Sequence, residues 1–243
     1  MSSPAGSDGG RGRSCHSRGA RAGRTPSVLD LAQLSTPGYP PFIRSTHNGC
    51  VISEEQPGRD LNPPPATERG RVIVITGAMA AGKSTVAALL AEQLHPRSVH
   101  IRGDAFRRMV INGRAEMTPD PDPEALRQLH LRYSLAAATA DRYADHGFDA
   151  IVQDVIIGAE LSQFIDLIDS PSRYLVVLSP SLSALEWRQE QRAKAGSVYF
   201  SPGAMDTALR QETARIGYWL DSSSQTPEET VGDILGNLDQ ARV

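Results

Sequence analysis

Arg71-Val-Ile-Val-Ile-Thr76-Gly77-Ala-Met-Ala-Ala-Gly82-Lys83-Ser84-Thr85 decides the fold. Arg71 to Thr76 is a β-branched run, the pattern of a strand buried on both faces. Gly77 to Thr85 then fits G-x-x-x-x-G-K-[ST]. A helix is expected at once, from Val86 to Leu94. The order of strand, glycine-bounded loop and helix is what phosphate binding requires. Backbone N–H groups of the loop can wrap an anion, and the helix N-terminus adds positive potential. Gly77, Ala78, Met79, Ala80, Ala81, Gly82, Lys83, Ser84 and Thr85 are therefore the expected nucleotide-binding residues, with Lys83 on the β and γ phosphates. Ser84 is expected to offer its hydroxyl to Mg²⁺. Lys83 and Lys194 are the only lysines, so the chain keeps a lysine where a compact cation on phosphate is useful.

Downstream of the loop, strands and helices alternate. Strands are expected at Val99–Ile101, Ala150–Asp154, Tyr174–Leu178 and Tyr218–Leu220. Helices are expected at Ala105–Asn112, Glu124–His146, Leu161–Ile168, Leu182–Ala195 and Ala204–Ile216. A last helix starts at Thr226-Pro-Glu-Glu, with Pro at its first position and acid in its first turn. This alternation predicts an α/β fold, a parallel sheet with helices on both faces. Ligands then sit beyond the carboxyl ends of the strands.

Residues 1–70 differ in kind. They are rich in Gly, Pro, Ser and Arg, and only Val28 to Leu34 suggests a turn of helix. Such a segment buries too little apolar surface to offset its ordering entropy. It is expected to be a disordered extension, serving as a spacer or as a partner-binding tail. Residues 71–243 form the folded domain.

The chain of 243 residues carries a formal net charge of −3, which argues against a nucleic-acid binder. Cys15 and Cys50 are the only cysteines, so the folded domain has no internal disulfide and no cysteine metal site. No apolar run is long enough to span a membrane, and the N-terminus lacks the apolar core of a secretory signal. A cytoplasmic protein without membrane or nucleic-acid partners is expected.

Candidate chemistry lies at the strand ends. Asp154 closes the third strand, where it can join a Mg²⁺ shell or cap the strand. Val155 follows it, where many motor and transporter ATPases place a Glu, and no Asn-Lys-x-Asp is present to read guanine. Asp104 ends the second strand. There it can take the proton of an attacking hydroxyl, or cap the helix that follows; the roles are compatible. Arg107 shares its helical face and is the expected substrate cation. Arg188 and Arg192, four apart on one helix face, either cover the transferring phosphoryl group or belong to a solvated helix.

These segments resemble the nucleotide-kinase-like group of P-loop phosphotransferases over about residues 71–240. The loop, Arg102-Gly-Asp104-Ala-Phe-Arg107, Arg188/Arg192 and Asp221-Ser-Ser-Ser-Gln-Thr226-Pro-Glu-Glu carry the likeness. The layout is most similar to chloramphenicol phosphotransferase-like proteins. Zeta toxins share the Gly-Asp-x-Phe-Arg pattern, and gluconate-kinase-type enzymes share the Thr-Pro-Glu-Glu segment. The resemblance implies an α/β P-loop NTPase three-layer sandwich with a five-stranded parallel sheet and helices on both faces, ATP with Mg²⁺, and transfer of the γ-phosphate to an alcohol of a small molecule. It implies Asp104 as base, Arg188 and Arg192 as lid arginines, and Ser222–Pro227 beside the adenine. Ala78-Met-Ala-Ala81 replaces the serine-rich loop of many chloramphenicol enzymes. Two other readings stay open. One is a nucleotide or nucleotide-sugar kinase, which convergence of Arg107, Arg108, Arg127 and Arg132 would favour. The other is a non-catalytic ATP-binding module.

Overall fold

A computed structural model describes residues 69–94, 96–191 and 200–243. Residues 1–68 of the expected extension, with Cys15, Cys50 and the Val28–Leu34 turn, lie outside them. So do Arg192 and Lys194.

The quoted stretch is strand β1, Val72–Gly77, and every residue in it is buried. Both alternating sets of side chains are covered, so the sheet has protein on both faces. Val72, Ile73, Val74 and Ile75 are fully enclosed, each worth about 1.5–3 kcal/mol over exposure. The other strands are β2 (Ser98–Arg102), β3 (Asp149–Gln153), β4 (Arg173–Leu178) and β5 (Tyr218–Leu220). They pair in the order β2-β3-β1-β4-β5, all parallel. β1 is thus the central strand. At its start Arg71 grips Asp149 of β3, donating from its backbone N at 2.9 Å and from Nε at 3.0 Å.

The helices are α1 (Lys83–Gln93), α2 (Gly103–Met109), α3 (Pro123–Asp145), α4 (Glu160–Asp166), α5 (Leu182–Gln191), α6 (Pro202–Thr207) and α7 (Pro227–Gly236). α3 packs on β2 and β3 through Tyr133, Ala136, Ala137, Ala140 and Ala144. That spacing of three and four makes one helical stripe, and its alanines permit close approach to the sheet. α7 opens as expected, with a capping box. Thr226 Oγ1 accepts from Glu229 N at 3.2 Å, and Glu229 Oε2 accepts from Thr226 N at 2.8 Å.

Two helices depart from expectation in ways that bear on the site. The helix expected over Ala204–Ile216 begins at Pro202, passes into a π-helical turn at Ala208–Glu212 and stops there. Thr213 ends it: its hydroxyl donates to Ala208 O at 3.0 Å and accepts from Gly158 N at 2.7 Å. The helix expected at Ala105–Asn112 runs instead from Gly103 to Met109. Asp104 therefore lies inside α2 and does not end the strand. Nor does it cap: Arg102 holds the cap position, and no side chain caps there. Among the described residues, no helix is long and apolar enough to cross a membrane.

Candidate active site

The loop after β1 owes its shape to three residues with positive φ. Gly77 has φ +143° and Gly82 +95°, while Ala80, at +63°, is the one non-glycine among the described residues to take such a value. A Cβ on Gly77 would meet Leu178 O at 2.3 Å, so β4 itself excludes a side chain there. Gly82 supplies no side-chain cap to α1, and the first turn of α1 holds no acid. The helix N-terminus is left for an external anion. Lys83 is buried and donates from Nζ to Gly77 O at 3.0 Å and Ala78 O at 2.8 Å. The ammonium is thus held against the loop that would receive phosphate.

Two cavities meet at this loop and share Ala80 and Gly82. The first, about 750 Å³, runs between the loop, α5 and the 222–227 segment. The second, about 550 Å³, lies on the side of α2 and α3 and is lined by Lys83, Ser84, Asp104, Arg107, Arg132 and Asp154, with Met79, Leu129 and Phe200 among its apolar members. Both volumes suit a small ligand.

Eight of the expected residues therefore come together around the second cavity: Met79, Ala80, Gly82, Lys83, Ser84, Asp104, Arg107 and Asp154. The Asp104 carboxylate lies 3.3 Å from Arg107 Nε and 2.7 Å from Arg108, and is well exposed. Arg107 also reaches Glu116 at 2.6 Å. Arg188 belongs to the first cavity, not the second: its guanidinium donates to Ala81 O at 3.4 Å and Ser222 O at 2.6 Å. It ties the phosphate loop to the segment opposite. Arg192, its expected companion, lies outside the described residues. Arg108 and Arg127 do not line the cavity, and Arg127 pairs with Glu124 on the surface. The four-arginine convergence is absent.

Asp154 follows β3 and is buried. Its Oδ1 accepts from Val155 N at 2.8 Å. Its Oδ2 is 3.0 Å from Arg132 Nε, an ion-pair distance, yet neither atom is aligned for a hydrogen bond. Burial pushes the carboxyl above the usual range, and Arg132 and Lys83 oppose that shift. Gly103 makes room for it, since a Cβ there would sit 1.9 Å from Oδ2. Ser84 Oγ donates to Gln153 Oε1 at 3.3 Å, beside Asp154. Hydroxyl, carboxylate and amide oxygens, one of them buried and unsatisfied, are the hard donors that suit Mg²⁺. No cluster of three or more His, Cys, Asp or Glu able to hold a metal is found among the described residues.

Arg132, Gln153 and Glu160 also line this cavity and were not picked out individually in the sequence. A charged residue beside Tyr133 in the α3 stripe and a glutamine closing a buried strand are the signals that could have found the first two.

The AAA domain family profile matches residues 72–215, more than half of the chain. The chain belongs to the AAA domain family. Solved structures similar to this AAA domain include a sugar kinase from Janibacter sp., 20% identical with a TM-score of 0.51, covering 71% of this chain and 96% of the other. The APS kinase of Mycobacterium tuberculosis in complex with AMPPNP and APS is 20% identical, with a TM-score of 0.53 and coverage of 70% and 98%. The tunicamycin resistance protein of Deinococcus radiodurans is 14% identical, with a TM-score of 0.50 and coverage of 72% and 99%. At these identities the likeness is one of fold. Among curated protein sequences, none matches this chain.

Proposed function

We propose that this AAA domain is an ATP-dependent phosphotransferase acting on a hydroxyl of a small molecule. The observation that carries this reading is the pair of cavities joined at the phosphate loop, one of them holding Asp104, Arg107 and Lys83. A donor and an acceptor that enter from opposite sides meet where the γ-phosphate would lie. In transfer, the bond between the γ-phosphorus and the β–γ bridging oxygen breaks and a bond to the acceptor oxygen forms. ADP leaves, and the hydroxyl proton passes to the Asp104 carboxylate. Lys83 and the loop N–H groups hold the transferring charge. Arg107, three residues from Asp104, holds the acceptor. Arg188 fixes the donor side of the loop, and Arg192 is proposed to act with it.

Ser84 and Asp154 are the residues that would hold Mg²⁺. When bound, the ion neutralises charge on the phosphates. The apolar share of the second cavity suits a hydroxylated compound that also has an apolar part, as chloramphenicol phosphotransferase-like proteins use. The nucleotide-kinase reading loses support with the missing arginine convergence.

The test is ADP release from ATP and Mg²⁺ above the no-acceptor background, across chloramphenicol, sugars, nucleosides, nucleotides and UDP-N-acetylglucosamine. A hydroxylated, phosphate-free acceptor is expected to stimulate it. ATP binding without stimulation by any acceptor would favour a non-catalytic nucleotide-binding module.

A further inference from the structure

Trp187 is the outlier of the first cavity. It stands on α5, lines the cavity and is 61% exposed. A large aromatic kept in solvent at the mouth of a ligand cavity calls for a partner. The second tryptophan, Trp219, is accounted for: its Nε1 donates to Ile216 O at 3.0 Å, and Arg215 lies 4.0 Å over its ring. Trp187 has no such contact among the ring contacts of the described residues.

A second, independent feature faces the same space. Ser222 is 2% exposed and lines the cavity, yet its Oγ has no hydrogen-bond partner among the described residues. The hydroxyls of Ser223, Thr226 and Thr230 are engaged. Ser223 Oγ donates to Asp221 and accepts from Ser181 N. Thr226 caps α7, and Thr230 Oγ1 donates to Gln225 and Thr226 O. A buried hydroxyl without a partner is costly unless a ligand completes it.

Resting on the donor reading above, we propose that Trp187 is the stacking platform for the purine base of the donor, and that Ser222 Oγ meets the base edge. The donor site then accepts adenine and guanine nucleotides alike. Stacking does not discriminate between purines, because both present a π-face. A serine hydroxyl rotates and can donate or accept, so it can face the edge of either base. Among the described residues, no carboxylate lines this cavity to demand the N1–H and amino donors of guanine. Arg188, bonded to Ala81 O and Ser222 O, holds the two walls at a fixed separation.

The test uses the full chain, with calorimetric and tryptophan-fluorescence titrations of AMPPNP, GMPPNP and tripolyphosphate in the presence of Mg²⁺. Tripolyphosphate lacks a base and reports on the phosphate loop alone. In the wild type, the two nucleotides are expected to bind within about fivefold of each other and to quench fluorescence. Trp187→Leu is expected to weaken both by about tenfold, to abolish the quench and to leave tripolyphosphate unchanged. Trp187→Phe restores most of the affinity. Equal weakening of tripolyphosphate, or no change for the nucleotides, overturns the stacking role. GMPPNP binding far weaker than AMPPNP overturns the shared purine site. A wild type that binds neither tripolyphosphate nor nucleotide overturns the phosphate-loop reading itself.

Discussion

Arg132 Nε lies 3.0 Å from Asp154 Oδ2 in the wall of the second cavity, at ion-pair distance but off the line of a hydrogen bond. The arginine comes from the middle of α3 and the aspartate from the end of β3, so the sheet and its covering helix meet at this pair. Attraction between the two charges offsets part of their desolvation. The misalignment leaves Asp154 Oδ2 without a hydrogen bond among the described residues.

Gly103 is the space into which that carboxylate fits. Gly103→Ala would place a Cβ 1.9 Å from Asp154 Oδ2. The side chain must then swing away. Because misplacement by about 1 Å costs on the order of 100-fold, acceptor-dependent ADP release should fall by about that factor. Circular dichroism should show the fold retained. Full activity would mean that the position of Asp154 does not matter to transfer.

Lys83 rests on Gly77 O and Ala78 O. Lys83→Ala removes the cation from the loop and should weaken AMPPNP and tripolyphosphate by about 10- to 100-fold, the worth of a charge-assisted hydrogen bond. Calorimetry on both ligands checks this. Unchanged affinities would remove the loop from the donor site.

Tyr218 on β5 donates to Asp233 on α7 at 2.6 Å. The bond holds the Asp233 carboxyl below its usual range, with Gln225 assisting, while burial and Asp233 push Tyr218 up to about 12. A depressed carboxylate adds stability above its unfolded value, here 3.8, and loses it as pH falls through the lowered value. A raised tyrosine adds stability below its unfolded value of 10.0 and loses it as pH climbs toward 12. The melting temperature of Tyr218→Phe should therefore lie below wild type between about pH 4 and 10. The gap should narrow on either side. A gap that stays unchanged below about pH 4 and above about pH 10 would assign the loss to packing alone.

β1 and its loop were legible because a β-branched run can be buried on both faces only in the middle of a covered sheet, and because the glycine spacing serves one geometry. The start of α7 was legible for a local reason, since Thr226, Pro227 and Glu229 settle it among themselves. The end of the α6 region was not. It depends on the Thr213 hydroxyl meeting Gly158 N, 55 residues away. Asp104 was expected at a strand end and lies inside α2, because the helix begins at Gly103, the residue that must give way to Asp154. Neither Arg132 nor Trp187 can be placed at the site from local sequence alone. One looks like an ordinary helical charge until β3 brings Asp154 to it, and the other like a surface aromatic until the 222–227 segment closes the cavity.

In the proposed transfer, Asp104 receives the proton of an acceptor hydroxyl beside the phosphate loop. The most direct measurement compares wild type and Asp104→Asn in acceptor-dependent ADP release, with AMPPNP affinity measured on both. AMPPNP binding should be unchanged and the rate lower by about 100- to 10,000-fold. A variant that binds AMPPNP equally and turns over at the wild-type rate would contradict it.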